Sequence, residues 1–144
     1  MKVSELMTRD VHVANPSETL KQAAMSMAAL DSGVLPVGEK DRLVGMLTDR
    51  DMVINGIAKG KGPETRIREV MSTDVKYCYE DQDLEEITEN MADIQVRRLP
   101  VLNRDKRLVG IISLGDIAQA GNEAGTAEAL SGISQPSGQH NQMA

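Results

Sequence analysis

Two stretches of the chain are apolar at nearly every position and end in the same polar turn. Leu43-Val44-Gly45-Met46-Leu47 runs into Thr48-Asp49-Arg50-Asp51, and Leu108-Val109-Gly110-Ile111-Ile112 runs into Ser113-Leu114-Gly115-Asp116. Short, unbroken apolar runs of this kind predict strands covered on both faces. Ahead of each lies a second apolar triplet, Leu35-Pro36-Val37 or Leu99-Pro100-Val101. Proline removes a ladder donor there, so these strands are expected to be short or at an edge. Further upstream the period changes from two to 3.6. Leu20, Ala23, Ala24 and Met27 stand at i, i+3, i+4 and i+7, as do Leu84, Ile87, Thr88 and Met91. Each set predicts a helix with one apolar stripe. Pro16-Ser17-Glu18-Thr19 and Asp81-Gln82-Asp83 supply capping oxygens and early negative charge. Residues 11–13 and 76–79 are short β-favouring runs before the helices. A second helix is expected to start at each Thr/Ser-x-x-Asp turn.

The two series are copies. A shift of 64 residues aligns Glu5 with Glu69, Met7 with Met71, Met27-Ala28 with Met91-Ala92 and Leu35-Pro36-Val37 with Leu99-Pro100-Val101. One extra residue enters the turn before Leu108, and a shift of 65 then aligns Arg42 through Gly45 with Arg107 through Gly110, and Asp51 with Asp116. The chain therefore reads as two pseudo-symmetric β-α-β-β-α repeats of mixed α/β (α+β) class, packed through their sheets. The repeats are placed at 1–58 and 64–120, with a Gly/Pro-rich connector at 59–63 and a polar tail at 121–144. Thr126 is expected to cap a short helix through Leu130, and composition predicts disorder for the rest of the tail. A repeat of this size buries only part of its apolar surface alone, which is the physical reason to expect the halves to pair.

Composition narrows the chemistry. The 144 residues include nine Met, two Tyr and no Phe or Trp, so small aliphatics and adaptable methionines fill the core. A net charge of -6 argues against general nucleic-acid binding. No apolar run reaches the roughly 20 residues that span a bilayer. The single cysteine, Cys78, cannot close an internal disulfide and fits a reducing cytoplasm. Only His12 and His140 are present, so no metal cluster is expected. Cys78 has no evident basic partner, and Glu85, Glu86 and Glu89 lie off their helix's apolar stripe as a solvated face. Gly60-Lys61-Gly62 does not complete a phosphate-binding loop pattern. No catalytic residue is assigned, and the chain is not expected to be an enzyme.

In each repeated turn a hydroxyl at a strand end lies near a carboxylate at a helix start. That carboxylate either caps the helix by accepting backbone N–H bonds or accepts bonds from a vicinal diol such as ribose. Helix-start N–H groups would favour a neighbouring phosphate.

Taken together, Met7-Thr8-x-Asp10-Val11, Leu35-Pro36-Val37, Leu43 through Asp51 and their second-copy counterparts resemble the CBS domain in its tandem arrangement, the Bateman module. The resemblance covers about residues 1 to 120. It implies regulatory binding of adenosine-containing ligands (AMP, ADP, ATP, NAD(H) or S-adenosylmethionine) in clefts between the repeats, with no catalytic cofactor. It also implies a homodimer acting as an energy-sensing signal-transduction module on an effector protein that the sequence does not identify. Carried over, one nucleotide site would join Thr48, Arg50 and Asp51 to Met71, Lys76, Val96, Arg97 and Arg98. The other would join Ser113 and Asp116 to Met7, His12, Ser32 and Gly33. The first has Arg50 and Arg97 for phosphate where the second has Gly115 and Gly33, so the Asp51 site is expected to bind a phosphorylated nucleotide more tightly. The alternative is a non-catalytic dimerisation or protein-interaction module with vestigial ligand sites.

Overall fold

A computed structural model describes residues 1–94, 96–120 and 123–135. The chain forms two compact units. One is His12–Val75; the other gathers Met1–Val11 with the chain from Lys76 onward. The duplication and the units thus divide the chain at different places. The lead-in of each repeat belongs to the unit that holds the other repeat's hairpin.

In the His12–Val75 unit, helix α1 (Leu20–Leu30) leads to the antiparallel hairpin of β1 (Val34–Glu39) and β2 (Arg42–Thr48). Thr19 starts α1 through a reciprocal cap: the Gln22 N–H donates to Thr19 Oγ1 at 3.2 Å, and the Thr19 N–H donates to Gln22 Oε1 at 2.9 Å. Lys40 and Asp41 turn the hairpin with φ of 53° and 63°, the left-handed pair that matches strand twist in a two-residue loop. Pro36 is tolerated because its carbonyl accepts from Ala14 N–H on the side away from β2, and its nitrogen faces the same way. Helix α2 (Asp49–Asp51) then passes through a π-helical turn, Met52–Gly56, into a 3-10 turn, Ile57–Lys59. The lead-in of the second repeat closes this unit: Ser72 and Met46 exchange backbone hydrogen bonds of 2.8 and 2.9 Å. Leu20, Ala23, Met27, Leu35, Val37, Leu47 and Ile67 make the core.

The other unit repeats the plan. β3 (Cys78–Tyr79) pairs in parallel with β4 (Arg98–Leu102), which pairs antiparallel with β5 (Leu108–Ser113). Helix α3 (Leu84–Ile94) precedes β4, α4 (Leu114–Gln119) follows β5, and α5 (Glu123–Ile133) packs on α3. The extra turn residue lies in the loop between Leu102 and Leu108, where the Asn103 side chain accepts from the N–H groups of Asp105 and Arg107. Here the first lead-in closes the unit: Thr8 and Ile111 exchange backbone bonds of 2.8 and 2.9 Å.

Four expectations change. Residues 11–13 form no strand. Ala14 alone bridges Val37, and Pro36 has no N–H to extend the parallel ladder back toward residues 11–13. The run at 76–79 pairs only at Cys78 and Tyr79. Ala24 is exposed while its counterpart Thr88 is buried, because α5 covers α3 and no helix covers α1 among the described residues. The tail carries a longer helix than expected, since Ala129 and Ile133 reach the core; residues 136–144, with His140, lie outside the described residues. The expectation of a short strand holds at Pro100: β4 has five residues, and although it is the middle strand, β3 pairs only with Val101 and Leu102, just beyond the proline. No helix of the described residues is long and apolar enough to cross a membrane.

Candidate ligand-binding residues

The two repeated turns fold alike. Thr48 is fully buried and Asp51 is 6% exposed. The Asp51 N–H donates to Thr48 Oγ1 at 3.0 Å, and the Thr48 N–H donates to Asp51 Oδ2 at 3.0 Å. Ser113 and Asp116 make the same box at 3.0 and 3.1 Å, half-buried rather than buried. The capping reading of these residues therefore holds in both copies. Only Oδ2 of each carboxylate is used by the box, which leaves Oδ1 as the acceptor that could face a ligand.

Burial pushes the Asp51 carboxyl above its ordinary value; the bonds from Thr48 and the charge of Arg50 oppose that shift, and Asp49 adds to it.

Each box has a neighbouring strand start. The Asp49 N–H donates to the Gly33 carbonyl at 2.9 Å and Val34 pairs with Thr48, so Ser32 and Gly33 lie beside the Thr48–Asp51 turn. The Leu114 N–H donates to the Arg97 carbonyl at 2.8 Å and Arg98 pairs with Ser113, so Arg97 and Arg98 lie beside the Ser113–Asp116 turn. Both expected nucleotide sites draw residues from the two units. Within His12–Val75 are Thr48, Arg50, Asp51 and Met71 of one site and His12, Ser32 and Gly33 of the other. The remaining unit holds Lys76, Val96, Arg97 and Arg98, and Met7, Ser113 and Asp116.

Several of these residues have structural work. Met7 and Val96 are buried in their unit's core, so their side chains serve packing. A Cβ added at Gly45 would stand 2.7 Å from Met71 Sδ, and one added at Gly110 would stand 2.7 Å from Met7 Sδ. The lead-in methionines are thus seated on the strand glycines. Arg50, His12 and Arg97 are exposed.

Sequence reasoning missed Asp49. Its carboxylate lies over Gly33, where an added Cβ would be 2.7 Å from Oδ2, and its Oδ1 accepts from the Arg50 N–H at 2.8 Å. The signal was available, because the equivalent residue in the second copy is Leu114. Among the described residues, no three His, Cys, Asp or Glu side chains are grouped to hold a metal ion.

These features agree with what the chain resembles. It is 40% identical over 134 residues to the CBS domain-containing protein YhcV of Bacillus subtilis, covering 92% of this chain and 94% of that protein. A crystal structure of Hypoxic Response Protein I with two coordinated zinc ions matches with a TM-score of 0.75 at 40% identity, over 83% of this chain and 98% of that one. CBSX2 in complex with AMP shares the fold, with a TM-score of 0.75 at 24% identity, over 85% of this chain and 97% of that one. The CBS-domain family model matches residues 3–55 and 67–123. With both copies matched, and with the same capped turn closing each hairpin, the chain belongs to the CBS-domain family and carries the domain twice in tandem.

Proposed function

We propose that this CBS pair is a regulatory module that binds an adenosine-containing ligand (AMP, ADP, ATP or NAD(H)) in clefts between repeat 1 (1–58) and repeat 2 (64–120). The observation that carries this reading is the duplicated Thr48–Asp51 and Ser113–Asp116 box. It supplies the same hydroxyl-carboxylate pair at two strand ends, each with one carboxylate oxygen outside the cap. Asp51 and Asp116 would take ribose hydroxyls, and Arg50 with Lys76, Arg97 and Arg98 would meet phosphate oxygens at the Asp51 site. Binding at CBSX2 of AMP, a ligand of this class, supports the chemistry for the fold. The site at Asp116 has Gly115 and Gly33 in place of two arginines and is the weaker one for charged ligands. The chain acts without catalysis, as a homodimer, in the cytoplasm, by passing the ligand-dependent state to an effector protein. A ligand shifts that state only by its differential affinity for the two forms.

Calorimetric titration of AMP and ATP into wild type, Asp51→Asn and Asp116→Asn tests the reading. The larger loss is expected in Asp51→Asn. Equal losses overturn the ranking of the sites. Wild type that binds neither nucleotide, with no thermal shift where a 100-fold excess over Kd would add about 2.7 kcal/mol, overturns the ligand reading. That result favours a protein-interaction module in which the boxes are caps and nothing more, a reading consistent with the burial of Thr48 and Asp51.

A further inference from the structure

The run Pro16-Ser17-Glu18-Thr19 carries more oxygens than the start of α1 uses. Thr19 supplies the cap. Ser17 Oγ instead donates to Asn15 Oδ1 at 2.8 Å and accepts from Arg68 Nη2 at 3.1 Å, and Arg66 Nη1 donates to the Ser17 carbonyl at 2.6 Å. The lead-in of the second repeat brings these arginines here. It lies along the turn, with the Ile67 N–H donating to the Glu18 carbonyl at 2.8 Å and the Arg68 N–H to the Pro16 carbonyl at 3.1 Å. Ser17, Arg66 and Arg68 are all exposed, and among the described residues neither guanidinium makes an ion pair. The carboxylates of the turn are turned to the backbone. Glu18 Oε1 accepts from the Asn15 N–H at 2.7 Å, and Glu69 Oε2 from the Arg66 N–H at 3.3 Å.

The duplication supplies the comparison. In the other unit the Val3 N–H donates to the Gln82 carbonyl and the Ser4 N–H to the Glu80 carbonyl, both at 2.9 Å. Gln82 Oε1 accepts from the Tyr79 N–H at 2.8 Å, as Glu18 does from Asn15. Position for position the turns are alike, with Asp81 in the place of Ser17. Asp81 is held by a guanidinium fork, Arg104 Nε and Nη2 each donating at 2.8 Å. One copy has an arginine on a permanent negative charge. The other has two arginines and a hydroxyl that can acquire one.

We propose that Ser17 is a phosphorylation site whose phosphate is received by Arg66 and Arg68. The donor is a nucleoside triphosphate held by a protein serine kinase. Ser17 Oγ attacks the γ-phosphorus, and the Oγ–P bond forms as the bond from that phosphorus to the β,γ-bridging oxygen breaks. The nucleoside diphosphate leaves, and the hydroxyl proton passes to the catalytic base of the kinase. The product carries a charge of about −1.5 to −2 and three strong acceptor oxygens, which guanidinium forks fit. The hydroxyl's bond to Asn15 is lost, while the Ser17 N–H keeps Asn15 Oδ1 at 2.9 Å. Bridging both arginines, the phosphate fastens residues 65–69 to the turn before α1, as Arg104 fastens the β4–β5 loop to the turn before α3.

Two measurements on the full chain test this. Peptide mapping by mass spectrometry of the denatured chain, isolated from the cells that make it, reads covalent phosphate alone. Phosphate on Ser17 is expected, and Ser17→Ala is expected to lose it. An unmodified Ser17, or phosphate on other residues only, overturns the acceptor assignment. The second measurement is a phosphorus NMR titration of the chain with phosphoserine incorporated at position 17. Facing two cations, the second phosphate pKa is expected at least about one unit below its urea-unfolded value of about 6. Combining Arg66→Gln with Arg68→Gln is expected to return it to the unfolded value. A pKa unchanged by folding, or one lowered regardless of both arginines, overturns the clasp.

Discussion

Thr48 and Asp51 hold each other's backbone, hydroxyl to N–H and carboxylate to N–H, both at 3.0 Å and both out of solvent. The box fixes the angle at which β2 becomes helix, and so fixes where the second carboxylate oxygen points. Thr48→Ala removes one of the two bonds and is expected to lower stability by about 1–2 kcal/mol. Ser113→Ala, in the half-buried copy, is expected to cost less, nearer 0.5 kcal/mol. Urea midpoints of the two variants measure the difference, and an equal or reversed order contradicts the assignment of Thr48 as the more deeply buried cap.

Asp51 also carries a pH signature. Its folded-state pKa lies above its ordinary value of 3.8 because burial disfavours the charge. The folded chain therefore binds this proton more tightly than the unfolded chain, and the group's contribution falls as pH rises from the ordinary carboxylate value through the raised one. Other carboxylates add their own slopes, so the readout is the difference between wild type and Asp51→Asn. Wild type is expected to lose stability relative to the variant as pH rises across that window. A difference that is flat, or that grows in wild type's favour, would show that the hydrogen bonds from Thr48 outweigh burial.

Gly45 and Gly110 are strand glycines, where alanine ordinarily stabilises by roughly 0.5–1 kcal/mol. Here the opposite is expected. A Cβ at Gly45 meets Met71 Sδ at 2.7 Å and the Ser72 carbonyl oxygen at 2.9 Å; at Gly110 it meets Met7 Sδ at 2.7 Å and the Thr8 carbonyl oxygen at 2.8 Å. The methionine can move, but the backbone carbonyl is held by its own strand bonds. Each Gly→Ala change is expected to destabilise by about 1–3 kcal/mol. Combining Gly45→Ala with Met71→Ala is expected not to restore wild-type stability, because Ser72 remains. Thermal melts of the single and double variants decide.

Cys78 is buried, and burial pushes its thiol up to about 12. The native thiol is expected to react with a thiol-specific reagent at least about a hundredfold more slowly than the urea-unfolded chain at pH 8. Rapid native labelling would contradict the packing of Cys78 against β4.

The parts legible in the sequence were those set by period and repetition. The stripe Leu84, Ile87, Thr88 and Met91 is buried as spaced, and the one-residue insertion falls in the turn that holds Asn103. The cap chemistry of Asp51 and Asp116 was also readable, since a hydroxyl three residues before a carboxylate satisfies helix-start donors wherever it occurs. The burial of Ala24 was misjudged because a helical stripe shows which face is apolar and not whether a neighbour covers it. That neighbour, α5, belongs to one unit, and the other has no counterpart among the described residues. The expected strand at 11–13 is absent because β propensity does not reveal that the facing strand has Pro36, without an N–H, where the ladder would continue. Comparison of the repeats marks Asp49 as different from Leu114, but its contact with Gly33, sixteen positions back along the chain, is invisible to local spacing.

The exchanged lead-ins bear on how the protein is made. Every strand, helix and bridge of the His12–Val75 unit is available once Val75 has left the ribosome. The residues translated before it must wait. The backbone N–H groups of Val3, Ser4 and Thr8 donate to the carbonyls of Gln82, Glu80 and Ile111. Assembly is therefore expected to run from the middle of the chain outward, with Met1–Val11 among the last segments to be placed, the reverse of the N-to-C order common in tandem domains. An N-terminal extension that restrains Met1–Thr8 during synthesis would delay the second unit while leaving the first to form on schedule.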